Sequence, residues 1–216
     1  MKKFILVIAL MALLPVAPAS ADSFVLGDSY NLITYEYAGT PYTVGGGSFD
    51  ASRLNGEELP WVYCVDLLHD ISPNGSYPYT EVRTDGRVNN EPVTNAGQVA
   101  WLLDTYASTA AGNDAMEAAL QGLIWTAIYG GAFEFKPTDA QNVYFAPWSA
   151  VPFQSGIVGD YLWLSPEPGC YSEAAGAPAG CVQGVVTYSP VPEPGSTLLL
   201  LGAGLVGLSA WRRRHR

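Results

Sequence analysis

Two apolar runs, Phe4–Leu14 and Gly195–Trp211, stand at opposite ends of the chain, and their flanks exclude both from a folded core. Lys2 and Lys3 precede the first run and Ala19-Ser20-Ala21 follows it. A charged start, a short apolar stretch and small residues before a cut are the layout of a secretory signal peptide, which predicts residues 1–21 as removed and Asp22 as the first mature residue. Pro15 and Pro18 interrupt the run, so it is too short to serve as a membrane span. The second run is rich in glycine, barely long enough to cross a bilayer, and ends in Arg212, Arg213 and Arg214, with Arg216 beyond. Such a cluster holds its end of a helix on the cytoplasmic side and predicts that everything before it lies outside the inner membrane. The foldable part is residues 22–190, enough for one domain with its own core.

Charge excludes one class of function at once. The body carries four basic residues (Arg53, Arg83, Arg87 and Lys136) against nineteen acidic ones, a net charge of −15. This surface repels nucleic acid and anionic lipid, and no basic patch offsets it.

The body reads as α+β: a β-rich sandwich or barrel-like scaffold with a helical insertion. Ser29–Tyr37 and Pro41–Phe49 are rich in β-formers around a Gly-Thr-Pro turn signal. "WVYCVDLL" from Trp61 predicts a third strand and Tyr77–Arg83 a fourth, with "GDYLWLS" and "GVVTYS" completing the set. Between them Ala96, Val99, Ala100, Leu103 and Tyr106 recur at helical spacing behind Thr94 or Asn95 as N-cap. A second helix opens with Asp114 and Glu117, close to a capping box, carries Met116, Leu120, Ile124 and Ala127 as its stripe, and stops at Gly130-Gly131.

Cysteine placement is the most informative local feature. An exported protein meets an oxidising compartment. Cys170 and Cys181 flank a Gly/Ala/Pro-rich loop and are candidates for a local disulfide, which leaves Cys64 without a cysteine partner. Four roles are open to it: a buried inert thiol, an intermolecular disulfide, a nucleophile, or half of another crosslink. A cysteine hydrolase needs an imidazole on the thiol. The body's one histidine, His69, sits five residues on, where an extended strand carries it to the opposite face. Zinc and calcium spacings are missing, so neither metal nor cofactor is expected. Gln121, however, stands on or beside the apolar stripe of the second helix, among Leu120, Ile124, Trp125 and Ile128, and there it must find hydrogen bonds or react. A thiolate that attacks a glutamine amide expels ammonia and leaves a thioester, chemistry that needs one Cys, one Gln and a dry pocket.

Two resemblances follow from these residues. The tail, with Pro192-Glu193-Pro194, the apolar run and the arginines, resembles the PEP-CTERM sorting signal of Gram-negative bacteria that make exopolysaccharide. It implies Sec export, transient residence in the inner membrane, and cleavage by an exosortase near Pro-Glu-Pro, within a sorting tail at 191–216. "VYCVD" followed by "LQGLIW" resembles the paired signature of the Cys–Gln thioester domains of bacterial surface adhesins. That likeness implies a β-rich domain with a helical insertion, Cys64 as the thiol and Gln121 as the amide, with Tyr63, Asp66, Ile124 and Trp125 as motif neighbours. Leu120 and Leu123 stand where the family has threonine and alanine. The implied activity is covalent capture of a nucleophile, a protein amine or a glycan hydroxyl on a surface target, by a protein that is not an enzyme. Its alternative is a structural or exopolysaccharide-associated binding module with an inert Cys64.

Overall fold

The computed structural model describes residues 22–29, 31–167 and 182–189. The expected signal peptide, the Cys170–Cys181 pair, Pro192, Glu193, Pro194 and the arginine cluster lie outside the described residues. Among the described residues no helix is long and apolar enough to cross a membrane.

The strands are β1 (Asp22–Val25), β2 (Asn31–Tyr37), β3 (Thr40–Gly46), β4 (Arg53–Leu54), β5 (Glu57–Glu58), β6 (Val62–Cys64), β7 (Ser76–Arg83), β8 (Arg87–Val88), β9 (Glu91–Pro92), β10 (Phe133–Phe135), β11 (Tyr161–Ser165) and β12 (Val185–Tyr188). The helices are α1 (Ala96–Ala110), α2 (Asp114–Tyr129) and α3 (Asp139–Ser149). A seven-stranded sheet in the order β5-β4-β1-β7-β11-β12-β6 curls into a half-barrel, and a three-stranded sheet β10-β2-β3 faces α2. The β-rich α+β class expected from the sequence is the class observed.

Local chemistry explains most elements. In β2 the buried positions Asn31, Ile33 and Tyr35 alternate with exposed Leu32 and Thr34, the period of a half-buried strand. The β2–β3 turn centres on Ala38 (φ 49°) and Gly39 (φ 80°), one residue before the Gly-Thr-Pro signal, because a two-residue hairpin needs left-handed backbone at both central positions. Pro41 then falls in β3, an edge strand, where its missing N–H costs no ladder bond.

Helix α2 is the centre of the fold. Every residue from Glu117 to Ile128 except Thr126 is buried, as befits a helix with apolar neighbours on all sides. Leu120, Leu123, Ile124, Ala127 and Ile128 join the cluster shared with α1, Tyr63 and Trp163. Ala118 and Trp125 join a second cluster with Phe24, Val62, Cys64 and Val185. The helix opens at Asp114 as the sequence suggests, with extended Asn113 as the cap: its side chain accepts from Met116 N (3.1 Å), while Glu117 reaches back to accept from Gly112 N (2.8 Å). Asn95 caps α1 by position only, since its amide donates instead to Ala127 O on α2 (2.8 Å). A third helix, absent from the sequence expectation, opens with a Thr138/Gln141 capping box.

Buried Glu117 gives a pH signature. Burial, partly offset by the Gly112 N–H, holds its carboxyl above the ordinary range. A carboxyl whose folded pKa is raised contributes stability at low pH that is lost as pH rises through that pKa. The expected result is that Glu117→Gln removes this slope: wild type minus variant, in urea unfolding free energy, declines from acid toward neutral pH. A flat difference across that window refutes the assignment.

Candidate functional site

Strand β6 ends the seven-stranded sheet, and its three residues alternate between the two clusters. The expected strand from Trp61 to Leu68 is cut to Val62–Cys64 because the next residues turn. Asp66 causes the turn: its Oδ1 accepts from Leu68 N (2.9 Å), an Asx-type bond that competes with a strand ladder. Its Oδ2 meets His69 Nδ1 at 2.5 Å. His69 is therefore not carried away as a surface or strand-end residue; it is 8 % exposed and folded back beneath the strand end.

Cys64 is 2 % exposed and Gln121 is fully buried, and the structure brings them together through the backbone of Cys64. Cys64 N–H donates to Gln121 Oε1 (3.0 Å), and Gln121 Nε2 donates to Cys64 O (2.8 Å). The strand register explains the need. Val65 N donates to Gly184 O across the β6–β12 ladder, so the alternate residue Cys64, opposite Val185, turns its polar backbone groups away from β12. Among the described residues they meet no further strand. The Gln121 carboxamide takes the place of one residue of a missing neighbour, which is how a glutamine fits among leucines on α2.

The thiol itself meets a different amide. Cys64 Sγ donates to Gln183 Oε1 at 3.0 Å, and Gln183 Nε2 donates to Asp66 O. Gln183 precedes β12 in "VQGVV", and its backbone N–H donates to Asp70 O (3.1 Å). Sequence reasoning missed it because only the pairing of β6 with β12, across 119 residues, brings it to Cys64. Burial first, and the Asp66 carboxylate second, push the thiol well above the usual thiol range.

The other motif residues frame this pair. Tyr63 is buried in the opposite cluster beside Trp61 (ring centres 5.9 Å apart), and Ile124 lies in that cluster too. Trp125 packs on Tyr35 (5.5 Å) and Phe133 (5.8 Å), and its indole N–H has no partner among the described residues. A cavity of about 150 Å³ opens beside Gln183, with Tyr35, Phe49, His69, Asp70 and Trp125 in its wall. Burial pushes the Tyr35 hydroxyl up to about 12, with Tyr42 and Asp70 adding to it, so the phenol stays neutral. Among the described residues no three His, Cys, Asp or Glu side chains converge as a metal site.

Residues 190–214 match the PEP-CTERM protein-sorting motif. No curated protein and no solved structure matches the chain. The motif marks an exported surface protein targeted to an exosortase through a C-terminal signal.

Proposed function

We propose that this exported chain serves at the cell surface or in the extracellular matrix of a Gram-negative bacterium, where an internal thioester at Cys64 captures a nucleophile and fastens the protein to it. The observation that carries the proposal is the 3.0 Å contact between Cys64 Sγ and the side-chain carbonyl of Gln183 in a site closed on the thiol side. Attack forms the Sγ–Cδ bond and breaks Cδ–Nε2. The thiol proton passes to the departing nitrogen, which leaves as ammonia. Because burial disfavours a free thiolate, that proton moves with the attack rather than before it.

Two amides adjoin Cys64, and their geometry separates their roles. Acylation at either one keeps the carbonyl oxygen and loses the amide N–H donor, so Gln121, the pairing implied by the motif resemblance, leaves the buried Cys64 C=O unpaired, and Gln183 leaves Asp66 O unpaired. The Gln183 carbonyl lies on Sγ (3.0 Å), whereas the Gln121 carbonyl is held by Cys64 N–H (3.0 Å). Gln183 is thus the acyl donor and Gln121 the support that fixes the cysteine.

The test is mass spectrometry of the purified protein after phosphine reduction, its termini defined by peptide mapping. The expected mass is about 17 Da below the sequence value, one ammonia. That deficit vanishes in Cys64→Ala and Gln183→Ala, and methylamine leaves its adduct on the Gln183 peptide. An adduct at Gln121 transfers the donor role to that residue. Full sequence mass with a thiol titratable only on unfolding refutes the thioester and favours an inert Cys64 in a structural or exopolysaccharide-associated module.

A further inference from the structure

His69 is the one buried imidazole of the described residues. Its side chain is 3 % exposed and sits in the wall of the cavity that Gln183 also lines. Nδ1 is held by Asp66, which in turn receives Leu68 N and Asn89 Nδ2. In the tautomer whose Nδ1–H donates to the Asp66 carboxylate, Nε2 carries the free lone pair. Nε2 has no partner among the described residues, although a buried ring nitrogen normally has one. The partner of Cys64 Sγ is Gln183, and the His69 ring and Gln183 share the wall of one cavity, which places the imidazole beside the acyl donor.

We infer that His69, oriented by Asp66, is the proton acceptor for a hydroxyl nucleophile entering this cavity, and that the acceptor class is the aliphatic hydroxyl of a carbohydrate. The inference rests on the Cys64–Gln183 thioester proposed above. An amine brings its own lone pair and attacks a thioester without help; a neutral hydroxyl does so slowly unless a base removes its proton as the bond forms. An imidazole fixed by a carboxylate therefore matters most to hydroxyl transfer. The O–H proton moves to Nε2 as the oxygen bonds to the Gln183 carbonyl carbon, then to Cys64 sulfur as the carbon–sulfur bond breaks. The products are an ester at position 183 and a free thiol. Asp70 and Ser29, also in the wall, offer acceptors for neighbouring hydroxyls, and a body of net charge −15 does not repel a neutral polyol.

The experiment compares two nucleophiles on the full-length protein that carries the mass deficit of about 17 Da: glycerol, as the simplest polyol, and methylamine. In wild type both adducts form on Gln183. In His69→Gln the deficit persists, which also reports that the site has folded; the glycerol ester and hydrolysis each slow by roughly 100-fold or more, while methylamine capture slows by less than about tenfold. Asp66→Asn, which keeps the imidazole but loses its orientation, gives the same split. Equal slowing of both nucleophiles, unchanged glycerol transfer in His69→Gln, or methylamine capture in a wild type that never forms the ester overturns the inference. Loss of the deficit in both variants does so too, since His69 then acts in making the bond or holding the fold. A wild type without any deficit refutes the underlying thioester instead.

Discussion

Gln121→Ala is expected to cost about 3–5 kcal/mol of unfolding free energy, and the melting temperature to fall by roughly 10 °C or more. Two effects add. The backbone N–H and C=O of Cys64 lose their only partner off the end of the sheet, and each buried unsatisfied group costs about 1–3 kcal/mol. The missing side chain also leaves a void in a wholly buried position. Gln121→Met separates them: it fills the volume and removes the bonds, so it retains a loss of about 2–4 kcal/mol. Gln121→Glu keeps an acceptor for the N–H but sets a carboxylate against the Cys64 carbonyl. Its stability recovers as pH falls, because only the protonated acid can donate there. Urea unfolding measures all three. A loss below about 0.5 kcal/mol in Gln121→Ala is the value of a solvent-facing glutamine and is incompatible with a strand-mimicking role.

The two glutamines that meet Cys64 also mark how far the sequence could be read. Gln121 stood out because a polar residue on an apolar stripe is a local anomaly, visible inside one helix period. So were the β2–β3 hairpin and both helices that the apolar spacing predicted. Gln183 offers no such anomaly: a glutamine just before a strand is ordinary, and its meaning depends on β12 pairing with β6. Strand pairing is non-local and is fixed by which faces are buried, not by any short motif. His69 was misplaced for a related reason. The apolar composition of "WVYCVDLL" suggests a strand that continues, but the Asp66 side chain satisfies Leu68 N itself and ends it after Cys64. The turn reverses the geometry of everything after it, and a histidine expected on the far face returns to the wall of the cavity. Helix α3 had a legible start, Thr138 with Gln141 three residues on, and only the short stretch behind it, broken by Pro147, hid it.

Both glutamines act on the same three-residue strand, so the site is as rigid as its packing. Gly122, beside Gln121, lets α2 close on β10: a Cβ there meets the Phe135 ring at 2.6–2.8 Å. That close approach fixes how near α2 lies to the three-stranded sheet, and it ties the position of Gln121, and with it the proposed crosslink, to that contact.

Trp125→Ala tests that coupling from the cavity side. The indole is 1 % exposed between Tyr35 and Phe133, and its removal is expected to cost about 3–5 kcal/mol, from lost burial and the void left behind. Because Trp125 also walls the cavity next to Gln183, the void joins that cavity and admits water to the acyl carbon. The expected mass is then about 18 Da above that of the thioester form, as water replaces sulfur and position 183 becomes a glutamate. Trp125→Phe keeps an aromatic plug and discards an indole N–H that has no partner among the described residues. The cost of that orphaned donor offsets part of the lost area, so the loss is about 1 kcal/mol and the mass deficit survives. A Trp125→Ala protein that unfolds at lower denaturant yet keeps its deficit assigns Trp125 to packing alone; one that hydrolyses while Trp125→Phe does not makes the ring the barrier between solvent and the bond.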